Sequence, residues 1–325
     1  TVLNHLVKQP ALSDTVVIIN EFGEIALDHL LIERTSENIA LLRSGCICCA
    51  VRGDLIDNLR DLAAQRDAGA VAFSRVIIET TGLADPAPIL HTLMVEPAIA
   101  SHYSLEGVVT TVDAVNGFAT LDAHGEAVKQ AAMADRILLT KCDLAPRTAI
   151  DALIDRLQHL NHGAPILDVT AGRIEPRELV SIGPYDPAKR SENVRQWLHE
   201  EAGDRSHAGE HGHHDHRHDD AVRTHSVTID APVHRDAFAH WIELIAAMRG
   251  EQLLRLKGIV AEHPDRPLVI HGVQHVIHPV ATLDAWPSED RRTRLVFITR
   301  DLPADLIERT LTKFAEIARD RIVVA

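Results

Sequence analysis

The hydrophobic and polar positions of this chain form two patterns, separated by a polar segment at residues 186–222. Over residues 1–185, short Val- and Ile-rich runs bounded by turn residues alternate with stretches of helical spacing. This alternation is typical of an α/β fold, a mostly parallel sheet with helices on both faces. The predicted strands are 15–20, 39–42, 75–79, 107–113, 136–140 and 165–169; the predicted helices are 53–68, 125–133, 148–160 and one that starts at Asp85-Pro86.

The pattern after residue 222 predicts a second, smaller unit. Strands are expected at 224–230, 253–261, 268–276 and 294–298, and helices at 235–249 and 304–317. This order predicts an α+β domain, a sheet with helices on one face. We therefore expect three parts: an α/β domain at 1–185, a flexible linker at 186–222 and an α+β domain at 223–325.

Composition and charge narrow the range of functions. The net charge of −14 argues against a surface that follows nucleic-acid phosphates. The sequence has no apolar run of about 18 residues, the length needed to cross a membrane, and no signal peptide. With only 4 cysteines, most of them clustered, a disulfide framework is not expected. These features predict a cytoplasmic protein with neither a nucleic-acid partner nor a membrane partner.

The clustered cysteines are Cys46, Cys48 and Cys49. In extended backbone Cys46 and Cys48 point to one side, and Cys49 joins them only through a local turn. Thiolates favour Zn²⁺, Cu⁺ or Co²⁺ over Mg²⁺ or Ca²⁺. The sequence shows no second CxxC or His pair at the spacing of a structural zinc site, so we predict an exchangeable metal site. Buried small side chains or a redox switch are the alternatives.

Thr140-Lys141-Cys142-Asp143 directly follows the predicted strand 136–140. This is how P-loop GTPases recognise guanine: Asp143 accepts hydrogen bonds from the N1–H and the exocyclic amine, and the stem of Lys141 packs along the base. Ala171, after the next strand, lies where a backbone N–H reaches the guanine O6. Cys142 is predicted to pack rather than to bind metal. A solvated loop is the alternative.

Glu79-Thr80-Thr81-Gly82 also ends a predicted strand. In nucleotide hydrolases an acidic residue here holds Mg²⁺ through water, and a glycine lets the backbone approach the γ-phosphate. Glu79 and Gly82 are therefore the catalytic candidates, although an acidic residue at an exposed strand end is common.

The phosphate-binding loop GxxxxGK[ST] does not occur in the sequence. The chain starts without Met in a predicted amphipathic helix similar to the one that follows such a loop. We therefore expect the first strand and the loop to precede Thr1. In their absence we expect poor GTP binding and scarcely any hydrolysis.

Two further groups of side chains suggest metal binding. Glu21 and Glu24 precede the cysteines, in the region where GTPases carry nucleotide-sensing switches, and are candidates for an oxygen ligand. The linker contains irregularly spaced imidazoles that suit Zn²⁺, Ni²⁺, Cu²⁺ and Co²⁺: His207, His211, His213, His214, His216 and His218. Solvated acids and a merely polar linker are the alternatives.

Together these motifs resemble the CobW-like GTPases, which include zinc metallochaperones, nitrile hydratase activators and proteins linked to cobalamin synthesis. The matching segments are NEFGE (20–24), GCICC (45–49), VRGDL (51–55), ETTGLADP (79–86), VDA (112–114), TKCDL (140–144), RLKGIV (255–260) and GVQ (272–274), together with the His-rich linker. The resemblance implies a P-loop GTPase domain, GTP with Mg²⁺, metal at the cysteines, and transfer to a client apoprotein through the C-terminal domain.

Three interpretations follow from the resemblance and the residues. The leading one is a GTP-hydrolysing zinc chaperone. The second is a non-enzymatic metal buffer or interaction module with a vestigial GTPase domain. The third is an activator that inserts metal, cobalt included, into nitrile hydratase or cobalamin-pathway clients. Ligand chemistry does not separate Zn²⁺ from Co²⁺.

Overall fold

The computed structural model describes residues 2–20, 39–41, 50–179, 221–230, 232–277 and 281–321. The N-terminal helices are α1 (Val2–Leu6), α2 (Ala50–Asp67), α3 (Pro86–Val95), α4 (Pro97–Ala100), α5 (Gly117–Ala123), α6 (Gly125–Met133) and α7 (Arg147–Leu160). The N-terminal strands are β1 (Thr15–Asn20), β2 (Ile39–Leu41), β3 (Arg75–Thr80), β4 (Val109–Asp113), β5 (Arg136–Thr140) and β6 (Ile166–Val169). The predicted alternation of strands and helices is confirmed.

The N-terminal strands are all parallel and form two sheets, in the orders β2-β1-β3 and β4-β5-β6. In the part of the chain that the structure describes, β3 ends the first sheet and β4 ends the second. Both sheets carry helices on both faces. In β1, for example, Ile18 packs towards α2 and α4, while Val17 and Ile19 pack towards α1.

The short helix α1 contacts both parallel sheets. Leu3, together with Val7 just after the helix, packs against the first sheet, and Leu6 packs with Leu138 and Val169 of the second. Because one helix has apolar side chains against both sheets, it holds the two sheets as neighbouring parts of one domain.

Helix α2 begins earlier than the helix predicted for 53–68, since Ala50, Val51 and Arg52 are already helical. Its end agrees with the sequence. Gly69 follows with a φ of +70°, and Ala70 N–H donates to the Gln65 carbonyl at 2.9 Å. A left-handed glycine that closes the last turn is a common way to end a helix.

The C-terminal domain is built on an antiparallel sheet. Its elements are β7 (Val222–Ile229), α8 (Arg235–Arg249), β8 (Leu253–Val260), β9 (Leu268–Val273), β10 (Val276–Ile277), β11 (Ala281–Thr282), β12 (Thr293–Arg300) and α9 (Ala304–Arg321). The strand order is β10-β9-β8-β12-β7, with β11 also paired to β9. Both helices pack on one face of the sheet, around Trp241 and Phe297, as predicted.

The single strand predicted for 268–276 is wrong. The chain turns at Gln274-His275, and β10 folds back antiparallel onto β9, with Val276 opposite Val273. Gln274 has a φ of +51°, a left-handed conformation that reverses the chain and that apolar periodicity does not reveal.

The two domains share a buried interface. Leu254, Val273 and Ile298 of the C-terminal sheet pack in the same cluster as residues of α6 and α7. Within the described residues, no helix has the length and apolar character needed to cross a membrane.

Candidate functional site

The carboxyl ends of β4, β5 and β6 meet at one edge of the second sheet. The strand register places Asp113 beside Thr140, and Thr140 beside Val169. Neighbouring strands are separated by about 4.8 Å. The Thr140–Asp143 loop therefore emerges between Asp113 on one side and Thr170-Ala171 on the other, which brings the predicted guanine-binding residues to one edge.

Lys141 and Ala171 both have left-handed backbone, with φ values of +60° and +54°. Such conformations cost non-glycine residues about 1–3 kcal/mol and concentrate at functional sites. Lys141 directly follows β5, and Ala171 is the second residue after β6. Two strained residues at neighbouring strand ends indicate that both loops are held in specific shapes.

Asp113 braces Lys141 across the two strands. Its Oδ2 lies 2.6 Å from Lys141 Nζ, and its Oδ1 accepts the backbone N–H of Val115 at 2.8 Å. Asn116 donates to both carboxylate oxygens. Burial alone raises the pKa of Asp113, but Lys141, Asn116 and the Val115 N–H together lower it to about 2. The carboxylate is therefore charged at neutral pH and holds the lysine side chain in place.

No role was assigned to Asp113 from the sequence, although VDA was among the matching segments. Its position at the end of the strand next to β5 was the available indication. The pairing of Asp113 with Lys141 becomes evident only when the register of β4 and β5 is known.

The side chain that would recognise the base is exposed. Asp143 lies in the short 3₁₀ turn Cys142–Leu144 and is solvent-accessible, as are Thr170 and Ala171. Thr170 Oγ1 donates to Asp168 Oδ1 at 3.0 Å, which fixes the start of the second loop. The exposed carboxylate can accept hydrogen bonds from a planar base, and the exposed turn beside it can donate a backbone hydrogen bond to the same base.

Cys142 packs as the sequence predicts. It contacts the cluster of buried residues shared with α6 and α7, and its Sγ lies 3.6 Å from the Leu139 carbonyl. Burial and the nearby Asp168 carboxylate raise its pKa to about 11. The thiol is therefore protonated at neutral pH, which disfavours metal binding.

The second predicted loop follows β3, where Glu79 is exposed and lies in register with Ile19. Gly82 is exposed, and a Cβ placed on it would meet nothing within 4 Å. Its φ is not in the left-handed region. Neither packing nor backbone conformation therefore explains the glycine, whereas close approach of a ligand would.

The predicted metal ligands lie outside the described residues: Cys46, Cys48, Cys49, Glu21, Glu24, His207, His211, His213, His214, His216 and His218. Within the residues that the structure does describe, no group of three or more His, Cys, Asp or Glu side chains could hold a metal ion.

Comparison with known proteins assigns the chain to a family. The nucleotide-binding domain described as CobW/HypB/UreG matches residues 1–168, and the C-terminal domain of the cobalamin synthesis protein CobW matches residues 222–315. The chain belongs to the CobW/HypB/UreG family. The family resemblance expected from the motifs is thus confirmed.

Individual family members resemble the chain over most of its length. The zinc chaperone YjiA of Escherichia coli is 33% identical over 310 residues, which covers 94% of this chain and 92% of YjiA. The zinc chaperone CobW of Sinorhizobium is 29% identical and covers 87% of this chain and 83% of its own length. The crystal structure of Zn(II)-bound YjiA GTPase superposes with a TM-score of 0.69 at 26% identity, over 96% of this chain and 93% of that one. The expected P-loop GTPase-like fold is confirmed by this match.

Proposed function

We propose that this protein is a GTP-binding and GTP-hydrolysing metallochaperone that carries zinc, or cobalt, on Cys46, Cys48 and Cys49. GTP binding is supported mainly by one observation: at the edge of the second sheet, Asp113 fixes Lys141 beside the exposed Asp143. Metal binding by the cysteines is supported by thiolate chemistry and by the zinc chaperones among the relatives of this chain.

Guanine selectivity would come from Asp143. Its carboxylate offers only acceptors and suits the two N–H groups on one edge of guanine, which adenine does not present there. The left-handed backbone at Ala171 exposes that turn towards the same edge. Lys141, held by Asp113, would cover the base with its aliphatic stem.

Hydrolysis would take place at the end of β3. Glu79 is an exposed carboxylate and suits Mg²⁺, which prefers oxygen ligands and keeps several waters. Bound Mg²⁺ would supply charge stabilisation at the phosphate oxygens. Gly82, with open space at its Cα, would allow its backbone N–H to approach the γ-phosphate.

The phosphate-binding loop would enter between the two parallel sheets. Arg75, the first residue of β3, pairs with Glu106, just before β4, at 3.1 Å, so these two sheet edges lie side by side. A strand inserted between two others separates them by about 10 Å, a distance that long Arg and Glu side chains bridge. We therefore propose that residues 1–185 form a P-loop GTPase domain in which a further strand lies between β3 and β4 and joins the two sheets into one.

The remaining assignments concern cargo and delivery. Glu21 or Glu24 would add an oxygen ligand to the cysteines, and the histidines of residues 186–222 would collect metal at low selectivity. The C-terminal domain, residues 223–325, would contact the client protein.

The experiment measures the nucleotide selectivity of the protein expressed from its complete reading frame. Fluorescent GDP should bind and fluorescent ADP should not. Asp143→Asn should lower GDP affinity by roughly 10–10²-fold, because one hydrogen bond to a carboxylate, about 1.5–3 kcal/mol, is lost when the amide NH₂ group faces an N–H group of guanine.

Asp151→Asn is the matched control, since Asp151 pairs with Arg147 on the exposed side of α7. Equal binding of GDP and ADP, or an unchanged GDP affinity of Asp143→Asn, would contradict the proposed GTPase function. An upstream reading frame without a phosphate-binding loop would favour the metal buffer instead.

A further inference from the structure

The loop after β3 is fastened to helix α6 by two adjacent side chains. Gln130 Nε2 donates to the carbonyl oxygens of Gly82, at 3.1 Å, and Ala84, at 2.8 Å. Lys129 Nζ lies 2.6 Å from Asp85 Oδ2. One helix therefore holds the loop that contains the proposed γ-phosphate contact.

These contacts fix the shape of the loop as well as its position. An amide –NH₂ group has two donors, so Gln130 can orient two carbonyl groups at once. Asp85 also caps α3, because its Oδ1 accepts the Ala87 N–H at 3.0 Å. The Ala84 N–H donates to the Thr81 carbonyl at 3.1 Å. Gly82 is thus held by its carbonyl while its Cα remains exposed.

The other end of α6 is fastened to the C-terminal sheet. Arg255 Nη1 donates to the Met133 carbonyl, the last of the helix, at 3.2 Å. Arg255 and Lys257 both pair with Asp135, the second residue after the helix, and the Asp135 side chain is fully buried. The carbonyl of Gln130 itself accepts Thr110 Oγ1 at 2.7 Å, which ties the middle of the helix to β4.

We propose that Gln130 is a positioning residue that holds the 81–84 loop for the γ-phosphate, and that α6 links this loop to the C-terminal sheet. The proposal rests on the proposed GTPase function and adds its regulation. When the loop moves towards a γ-phosphate, it either breaks both Gln130 hydrogen bonds or pulls on α6.

A movement of α6 also affects residues of the C-terminal domain. Its last carbonyl and the following carboxylate are bound by Arg255 and Lys257, both in β8. A shift of the helix therefore changes contacts of the C-terminal domain. This chain of direct contacts is the physical element through which the nucleotide state reaches the domain proposed to meet the client.

The test compares Gln130→Glu with wild type in the full-length protein. Glutamate keeps the size of the side chain but presents oxygens to two carbonyl groups, so both hydrogen bonds are lost. We expect kcat for GTP to fall about 10²-fold, the loss typical of a misplaced reacting group, while KM stays nearly constant. Amide hydrogen exchange of residues 80–84 should become faster. Gln65→Glu, on an exposed position of α2, is the matched control.

Gln130→Met, which is neutral and of similar length, replaces Gln130→Glu if the latter does not fold. Unchanged kcat and unchanged exchange at 80–84 would overturn the positioning role. Exchange in β8 should also differ between GDP and a non-hydrolysable GTP analogue in wild type, and the difference should shrink in the variant. An equal difference in both proteins would overturn the link. A wild type that does not hydrolyse GTP would refute the proposed function, whereas the exchange at 80–84 would still test the loop contact.

Discussion

Lys141 shows what a single residue contributes to the proposed guanine-binding edge. Its type and its place after a strand are the basis of its predicted role, because TKCD follows RILLT in the sequence. Its left-handed backbone and its 2.6 Å contact with Asp113 were not predictable. Both depend on the pairing of β4 with β5, which joins residues distant in sequence.

Gly82 gives the sharpest prediction at this scale. Since a Cβ there meets no protein atom within 4 Å, Gly82→Ala should leave the free energy of unfolding within about 0.5 kcal/mol of wild type. GTP hydrolysis by the full-length protein should nevertheless fall by about 10²–10³-fold, the usual loss when one backbone donor is displaced from a transition state. Chemical denaturation and single-turnover hydrolysis measure the two quantities.

Gly53→Ala is the control for adding a methyl group in open space. Gly53 lies inside α2, where alanine is favoured over glycine by about 0.5–1 kcal/mol, so this variant should be slightly more stable and hydrolyse GTP normally. Normal hydrolysis by Gly82→Ala would remove Gly82 from the proposed phosphate site.

At the scale of elements, apolar periodicity predicted where strands and helices lie but not how they pack. The predicted bounds of α6 and α8 match the structure. Helix α5 was missed, since it starts at Asn116-Gly117, a pair that usually forms turns. A Cβ on Gly117 would lie 2.9 Å from Leu153 and from Val112, so the glycine serves close packing against α7 and β4.

The functional contacts of helix α6 were not predictable from its sequence either. Its sequence gives an amphipathic helix and nothing more. Its contacts reach Ala84, 46 residues before Gln130, and Arg255, 122 residues after Met133. Such long-range contacts follow from the tertiary fold, and for that reason the link between loop and C-terminal sheet appears only in the structure.

At the scale of the whole molecule, the two domains are joined by a buried ionic group. Asp135 accepts from Arg255, from Lys257 at 3.1 Å and from the Val108 N–H at 3.0 Å. Burial alone raises the pKa of Asp135, but the charges of Arg255 and Lys257 and the Val108 N–H together lower it to about 2. Removal of one partner from such a group leaves uncompensated buried charge.

Asp135→Asn should therefore destabilise the protein by about 3–5 kcal/mol at pH 7. Because the domains share one buried cluster, far-UV circular dichroism and tryptophan fluorescence should still report a single urea transition. Asp265→Asn, which breaks an exposed pair with Arg291, should change stability by less than about 1 kcal/mol. A transition that shifts only in tryptophan fluorescence, to which Trp241 and Trp286 of the C-terminal domain contribute, would show that the domains unfold separately.

The same variant has a predicted pH dependence. In the unfolded chain the pKa of an aspartate is about 3.9. Between that value and the folded pKa of about 2, only the unfolded chain binds the proton. The stabilisation by Asp135 is therefore complete above about pH 4 and is lost as the pH falls towards 2. The difference in stability between wild type and Asp135→Asn should shrink over that range, and a constant difference would contradict the charged pair.

The central claim, a metallochaperone that binds zinc through its clustered cysteines, is tested most directly by a zinc titration against a chromogenic chelator. Wild type and Cys142→Ser should bind zinc equally well, since Cys142 is partly buried against the apolar cluster and its thiol has a raised pKa. The triple variant Cys46→Ser, Cys48→Ser, Cys49→Ser should lose more affinity than the roughly 10–100-fold that loss of an outer-shell partner costs. An unchanged zinc affinity in the triple variant would contradict the claim.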